Sequence, residues 1–141
     1  MSVAKAKITF TSGLQFVGEA DSGHAVVMDG EEKSGGRNSG PRPMELLLLG
    51  LGGCTGMDVV SILRKKREPV IGLEVNVNGI MAEDYPHKYT QMEIEYVVKG
   101  KGVTEGGVKR AIELSMEKYC SVKATLEGAA KIGWSCRIVE E

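Results

Sequence analysis

Three cysteines are the residues in this chain whose type and placement could do chemistry. Cys54 lies in an apolar, glycine-rich run, PMELLLLGLGGCTGMDVV; Cys120 closes SMEKYC; and Cys136 follows Trp134 in KIGWSCRIVE. A thiolate is a nucleophile, and it can cycle through sulfenic acid and disulfide. The cysteine count is odd, no CxxC pair occurs and there are only two histidines, so the ligands of a zinc site are lacking and no metal or cofactor is expected. Buried inert thiols and redox-active ones both remain open. Free cysteine is among the most buried residue types, which favours core packing for Cys54 on these grounds alone. A reactive thiol needs a nearby cation or a helix N-terminus, and Asp58, one turn beyond Cys54, opposes a thiolate. Cys136 reads as a core residue beside Trp134, and His24 and His87 as surface or satisfied side chains.

The elements that must position these thiols alternate in character. Residues 3–10, 14–19 and 24–28 are three short alternating segments joined by Ser-Gly and Asp-Ser-Gly turns, an antiparallel meander. Residues 29–42 form a polar Gly/Ser-rich connection of a length at which loops are functional or mobile. Pro43, well suited to a first helical turn, opens a helix expected to run to about residue 66. Its uncharged stretch, 46–57, is too short for a membrane span, which takes about 20 residues. Being apolar on every side, it predicts a helix buried all round. The basic run 64–67 suits the negative end of a helix dipole. Two alternating segments, 72–80 and 89–99, predict a hairpin. Thr104 is the expected N-cap of a second helix over 105–119, with Cys120 at its end. A short third helix over 122–130 and a closing strand over 131–140 complete an α+β chain without βαβ alternation.

On the first helix, at about 100° per residue, Leu47, Gly50, Leu51, Met57, Asp58 and Ser61 share the side of Cys54. Gly50, Gly53 and Gly56 let another backbone approach, at about 1 kcal/mol of helix propensity each relative to alanine.

Composition sets the class. One domain of 141 residues, 42% hydrophobic and 26% charged with net charge −1, is typical of a soluble globular protein. No basic stripe points to nucleic acid, and the first ten residues lack the apolar core of a signal peptide, so a cytoplasmic location is expected.

PMELLLLGLGGCTGMDVVSIL resembles the first cysteine motif of the OsmC/Ohr family, roughly PxELLLxxxxxC. SMEKYCSVK falls on that family's second motif, and Cys120 lies 66 positions after Cys54. The order of elements is similar along essentially the whole chain, and HAVVMDG, GPRPMELL and EKYCSV look most like the YhfA-like branch. The resemblance implies an OsmC-like fold, with antiparallel sheets around two long central helices, assembled as an intertwined homodimer. It implies a thiol peroxidase acting on organic hydroperoxides, with Cys54 peroxidatic and Cys120 resolving. It further implies an external dithiol as reductant, in that family thought to be a lipoyl-bearing protein. The family activates its thiolate with a meander arginine held by a glutamate ten residues before the cysteine. Here that position is Met44 and the carboxylate is Glu45; on a continuous helix Glu45 would lie about 13 Å along the axis from Cys54 and on the opposite face. Its other reading is a favourable charge in the first helical turn. The first 36 residues hold no arginine. Arg37 and Arg42 are therefore the candidate cations, with Lys5 and Lys7 weaker ones. The alternative is a non-catalytic OsmC-like dimer that binds a hydrophobic or thiol ligand.

Overall fold

The computed structural model describes residues 2–141, which form two compact units that meet in sequence at Leu47 and Leu48. In the N-terminal unit, β1 (Ala6–Ser12), β2 (Gln15–Ala20) and β3 (Ala25–Met28) make an antiparallel sheet in the order β1-β2-β3. The turn glycines Gly13 and Gly23 take positive φ, as tight connections demand. Phe10 and Phe16 face each other across the first pair, with ring centroids 5.5 Å apart. Apolar residues of this sheet, Ile8, Phe10, Val26 and Val27 among them, stay exposed.

The loop after β3, expected to be functional or mobile, is tied down by one carboxylate. Asp29 accepts hydrogen bonds from the backbone N–H of Gly30, Arg37 and Ser39 at 2.7, 3.2 and 3.1 Å and from the Ser39 hydroxyl at 2.5 Å. The Ser39 hydroxyl and these backbone donors hold its carboxyl down at about 2, against a smaller opposing contribution from burial. A length rule cannot anticipate a clamp that closes only when the loop has folded.

In the C-terminal unit, β4 (Gly72–Met81) and β5 (Tyr89–Lys99) pair antiparallel as expected. The closing strand β6 (Lys131–Val139) lies on the other side of β5 and runs parallel to it, so the sheet is mixed. Its route back passes through α2 (Glu105–Leu114), a π turn (Ser115–Tyr119) and α3 (Ser121–Leu126), which makes one βαβ unit inside an otherwise antiparallel plan. Thr104 caps α2 through a bond from the Gly107 N–H at 3.2 Å. It is itself held by Glu68, which accepts from its N–H at 2.9 Å and its hydroxyl at 2.7 Å.

Helix α1 (Pro43–Lys65) buries one stripe, Leu51, Thr55, Val59 and Leu63, at a spacing of four. The stripe packs into a core with Met92, Ile94, Tyr96 and Val98 of β5 and Val108, Ala111 and Ile112 of α2. Each fully buried aliphatic side chain there contributes roughly 1.5–3 kcal/mol. The expectation of a helix buried all round does not hold, because Leu49 and Met57 are 62% and 76% exposed. Within the C-terminal unit the buried stripe of α1 lies on one face of the helix. The glycines divide the same way: a Cβ at Gly52 or Gly56 would meet Val77 or Val75 of β4, whereas at Gly50 or Gly53 it would meet open space. By length and composition alone α1 could also cross a membrane. Its buried stripe, and the hydrogen bonds that Thr55 and Asp58 make to other elements, are those of a core helix.

Candidate functional site

Cys54 is half-buried on α1 and Cys120 is 4% exposed at the end of the π turn. Both thiols are free, and the Cys54 side chain lies close enough to Cys120 to act on its titration. Two features of the second segment bring this about. The π turn sends the Cys120 N–H to the Ser115 carbonyl at 2.8 Å, five residues back, where an α-helix would use the residue four back. The extra residue rotates the chain beyond it by about 100° around the helix. Cys120 then becomes the N-cap of α3, its sulfur accepting from the Lys123 N–H at 3.4 Å. Burial pushes the Cys120 thiol up to about 11 against that N–H, and the Cys54 thiol and the Asp58 carboxylate push the same way. At neutral pH Cys120 is a thiol.

Beside the pair runs a buried chain of hydroxyls. Tyr96 Oη lies 2.7 Å from Thr55 Oγ1, Thr55 Oγ1 lies 2.7 Å from Ser115 Oγ, and Ser115 donates to Asp58 Oδ2 at 2.8 Å. Proton accounting gives the chain a direction. Ser115 has one hydroxyl proton and gives it to Asp58, so Thr55 must donate to Ser115, and Tyr96 to Thr55. Tyr96 suits the donor end: burial pushes its phenol up to about 12. The chain joins β5, α1 and the π turn at the residue after Cys54 and the residue one turn on.

Ser115 falls within the second helix expected over 105–119, and nothing in the sequence reading singled it out. A hydroxyl residue at an apolar-face position was the available signal, and Thr55 and Tyr96 carried it too.

The other sequence-predicted site residues gather in the N-terminal unit. Glu45 accepts from the Arg42 N–H at 2.8 Å, the return half of a capping box at the start of α1. The Arg42 guanidinium donates to Asn38 Oδ1 at 2.9 Å and the Gly40 carbonyl at 3.1 Å. That of Arg37 donates to Ser12 Oγ at 2.8 Å. Arg42 also borders an apolar cavity of about 560 Å³ lined by Ile8, Leu14, Phe16 and Met28, with Asp29 beside it. In the C-terminal unit Gly53, Gly56, Met57 and Val75 line an open apolar groove of about 550 Å³, with Arg64 at one side.

Cys136 pairs with Tyr96 across β5 and β6, and burial raises its thiol against the nearby Lys109. Trp134 meets the Tyr96 ring edge-on at 6.3 Å. His87 Nδ1 lies 2.9 Å from the Ala82 carbonyl, a satisfied loop histidine.

Residues 36–135 match the family model described as OsmC-like protein. The chain is 41% identical over 138 residues to protein YhfA of Escherichia coli K12, covering 96% of this chain and 98% of that one. It is 35% identical, with a TM-score of 0.82 and 99% coverage of each chain, to the crystal structure of a hypothetical protein from Aquifex aeolicus VF5. An organic hydroperoxide resistance protein from Elizabethkingia anophelis shares the fold at a TM-score of 0.68 and 16% identity, over 97% of this chain and 98% of that one.

Proposed function

This chain belongs to the OsmC-like protein family, and on that premise we propose that it is a thiol-dependent peroxidase reducing organic hydroperoxides to alcohols. The nearness of Cys54 to Cys120, whose titration it influences from 66 positions earlier in the sequence, carries the reading. Packing alone needs no such pair. Hydroperoxide resistance proteins among its structural relatives support the substrate class.

In this reading the Cys54 thiolate attacks the peroxide, the O–O bond breaks, the alcohol leaves with a proton and Cys54 becomes a sulfenic acid. Cys120 then displaces water to form the disulfide. A dithiol, such as a lipoyl-bearing protein, restores both thiols by exchange. Half-burial suits Cys54 to the exposed first step, and the buried, protonated state of Cys120 suits it to wait.

The working unit is a homodimer in the cytoplasm. The bare glycine face at Gly50 and Gly53 and the exposed Leu49 and Met57 support a second copy packing on α1. Arg37 and Arg42, ordered by Asp29 and Glu45, are the cations assigned to the thiolate.

The bonds these arginines already make, and the apolar cavity beside Arg42, favour a second reading: a non-catalytic dimer that holds a hydrophobic ligand. Cumene hydroperoxide separates the two. A peroxidase loses its Cys54 and Cys120 thiols within minutes and releases one alcohol per peroxide. No thiol loss, or an unchanged rate in Cys54→Ser, overturns the enzyme reading.

A further inference from the structure

Ser115 is used three times over. Its carbonyl takes the Cys120 N–H at 2.8 Å, its hydroxyl takes a bond from Thr55 at 2.7 Å, and the same hydroxyl gives one to Asp58 at 2.8 Å. It is fully buried. A serine inside a helix ordinarily spends its hydroxyl on solvent or on a carbonyl of its own helix. This one reaches across to α1, one residue and one turn beyond Cys54. It does so at the point where the helix widens to a π turn and re-aims Cys120.

We propose that Ser115 is a positioning residue for the disulfide-forming step: its carbonyl sets the Cys120 backbone, and its hydroxyl locks that turn to the segment of α1 that carries Cys54. In that step the Cys120 sulfur attacks the Cys54 sulfur, the S–S bond forms and the S–O bond breaks. The hydroxyl leaves as water with the Cys120 proton. The Cys54 sulfur is reduced from the sulfenic level as the Cys120 sulfur is oxidised, and no other reductant enters. Asp58 anchors the lock because its carboxylate needs the Ser115 proton, and Tyr96 and Thr55 hold the serine from the other side. The buried, protonated Cys120 thiol agrees with this arrangement, since a sulfur slow to ionise depends on being held at its target.

The inference rests on the peroxidase reading for its sulfenic acid, and the test keeps the two apart. Wild type, Ser115→Ala and Ser115→Thr are mixed with cumene hydroperoxide. Cys54 sulfenic acid is trapped with dimedone, and the disulfide is followed by intact mass after alkylation. In Ser115→Ala the sulfenic acid should form at the wild-type rate while its conversion to disulfide slows about 10-fold or more, the scale of a misplacement of about 1 Å. Ser115→Thr, which keeps a hydroxyl, should recover most of that loss. Conversion at the wild-type rate in Ser115→Ala overturns the proposal, and so does an equal fall in both steps, which is the mark of a merely structural serine. If Ser115→Ala does not fold, Thr55→Val, which cuts the same lock from α1, is held to the same split. If wild type yields no sulfenic acid, the peroxidase reading fails, and diamide, an azo oxidant that takes two electrons and two protons from a thiol pair, replaces the peroxide. Cys54–Cys120 pairing that is slowed about 10-fold in Ser115→Ala then supports the positioning role, and unchanged pairing overturns it.

Discussion

Replacing Thr55 by valine should destabilise the protein, and adding Tyr96→Phe to that variant should give stability back. The direction of the hydroxyl chain dictates this. Thr55 accepts from Tyr96 and donates to Ser115 across two 2.7 Å bonds. Valine keeps the branched shape but leaves the Tyr96 O–H, on a residue with no solvent exposure, without an acceptor. An orphaned buried donor costs about 1–3 kcal/mol in addition to the lost bonds, so Thr55→Val should cost roughly 2–3 kcal/mol. Tyr96→Phe alone removes the donor and leaves only an unfilled lone pair on Thr55, a cost of about 1 kcal/mol. Were the two changes independent, the double variant would lose roughly 3–4 kcal/mol. Removing the orphaned phenol as well should instead bring the double variant back to within about 2 kcal/mol of wild type, since replacing both partners by apolar groups is nearly neutral. The coupling is then more than about 1 kcal/mol, which is about 3 °C in melting temperature for a chain of this size. Equilibrium urea unfolding of the four proteins, at one fixed protein concentration, measures it. Additive losses would refute the chain, and so would a Tyr96→Phe loss larger than that of Thr55→Val.

Asp29 gives a pH signature. Its folded carboxyl sits near 2, below the unfolded value of about 3.9, so its stabilisation is complete above pH 4 and drains away as pH falls towards 2. Limited proteolysis between residues 30 and 41 should accelerate across that window in wild type and be fast throughout in Asp29→Asn; equal cutting at pH 5 and pH 2.5 in wild type would contradict the clamp. Gly53→Leu meets open space within one chain and should leave each chain folded while shifting the sedimentation profile to monomer. An unchanged dimer, or a monomeric wild type, would place the interface elsewhere or remove it. The double variant Arg37→Met/Arg42→Met should slow Cys54 oxidation at pH 7 about 10-fold or more, because a reactive thiolate needs a nearby cation. A rate equal to wild type at pH 7 would exclude both arginines as the activating charge.

Local order was legible where local rules decide it. The meander, the start of α1 at Pro43, the β4–β5 hairpin and the Thr104 cap all derive from alternation, turn glycines and capping residues, and each lies within a few residues of its expected place. The misreadings were non-local. The parallel pairing of β6 depends on which edge of β5 remains free after the hairpin forms; the consecutive buried Val97 and Val98 mark β5 as a central strand only in retrospect. The π turn adds one residue without disturbing the apolar face from Val108 to Met116, so a 3.6-residue period runs straight through it. An all-apolar run such as that of α1 does not show which of its faces the fold buries; Leu51, Thr55, Val59 and Leu63 are buried and Leu49 and Met57 are not. At the site, the cysteine pair was visible through the resemblance to the two OsmC/Ohr cysteine motifs, since the residues alone left inert and redox-active thiols open. The Tyr96–Thr55–Ser115–Asp58 chain was not, because its members look ordinary until the fold aligns them.

The central claim is that Cys54 and Cys120 are one redox pair. Peptide mapping under non-reducing conditions, after one equivalent of cumene hydroperoxide per chain, tests it most directly. A single new linkage joining the peptides of Cys54 and Cys120, with Cys136 still a free thiol, is the predicted result. A linkage through Cys136, or both thiols recovered free with the peroxide unconsumed, would contradict it.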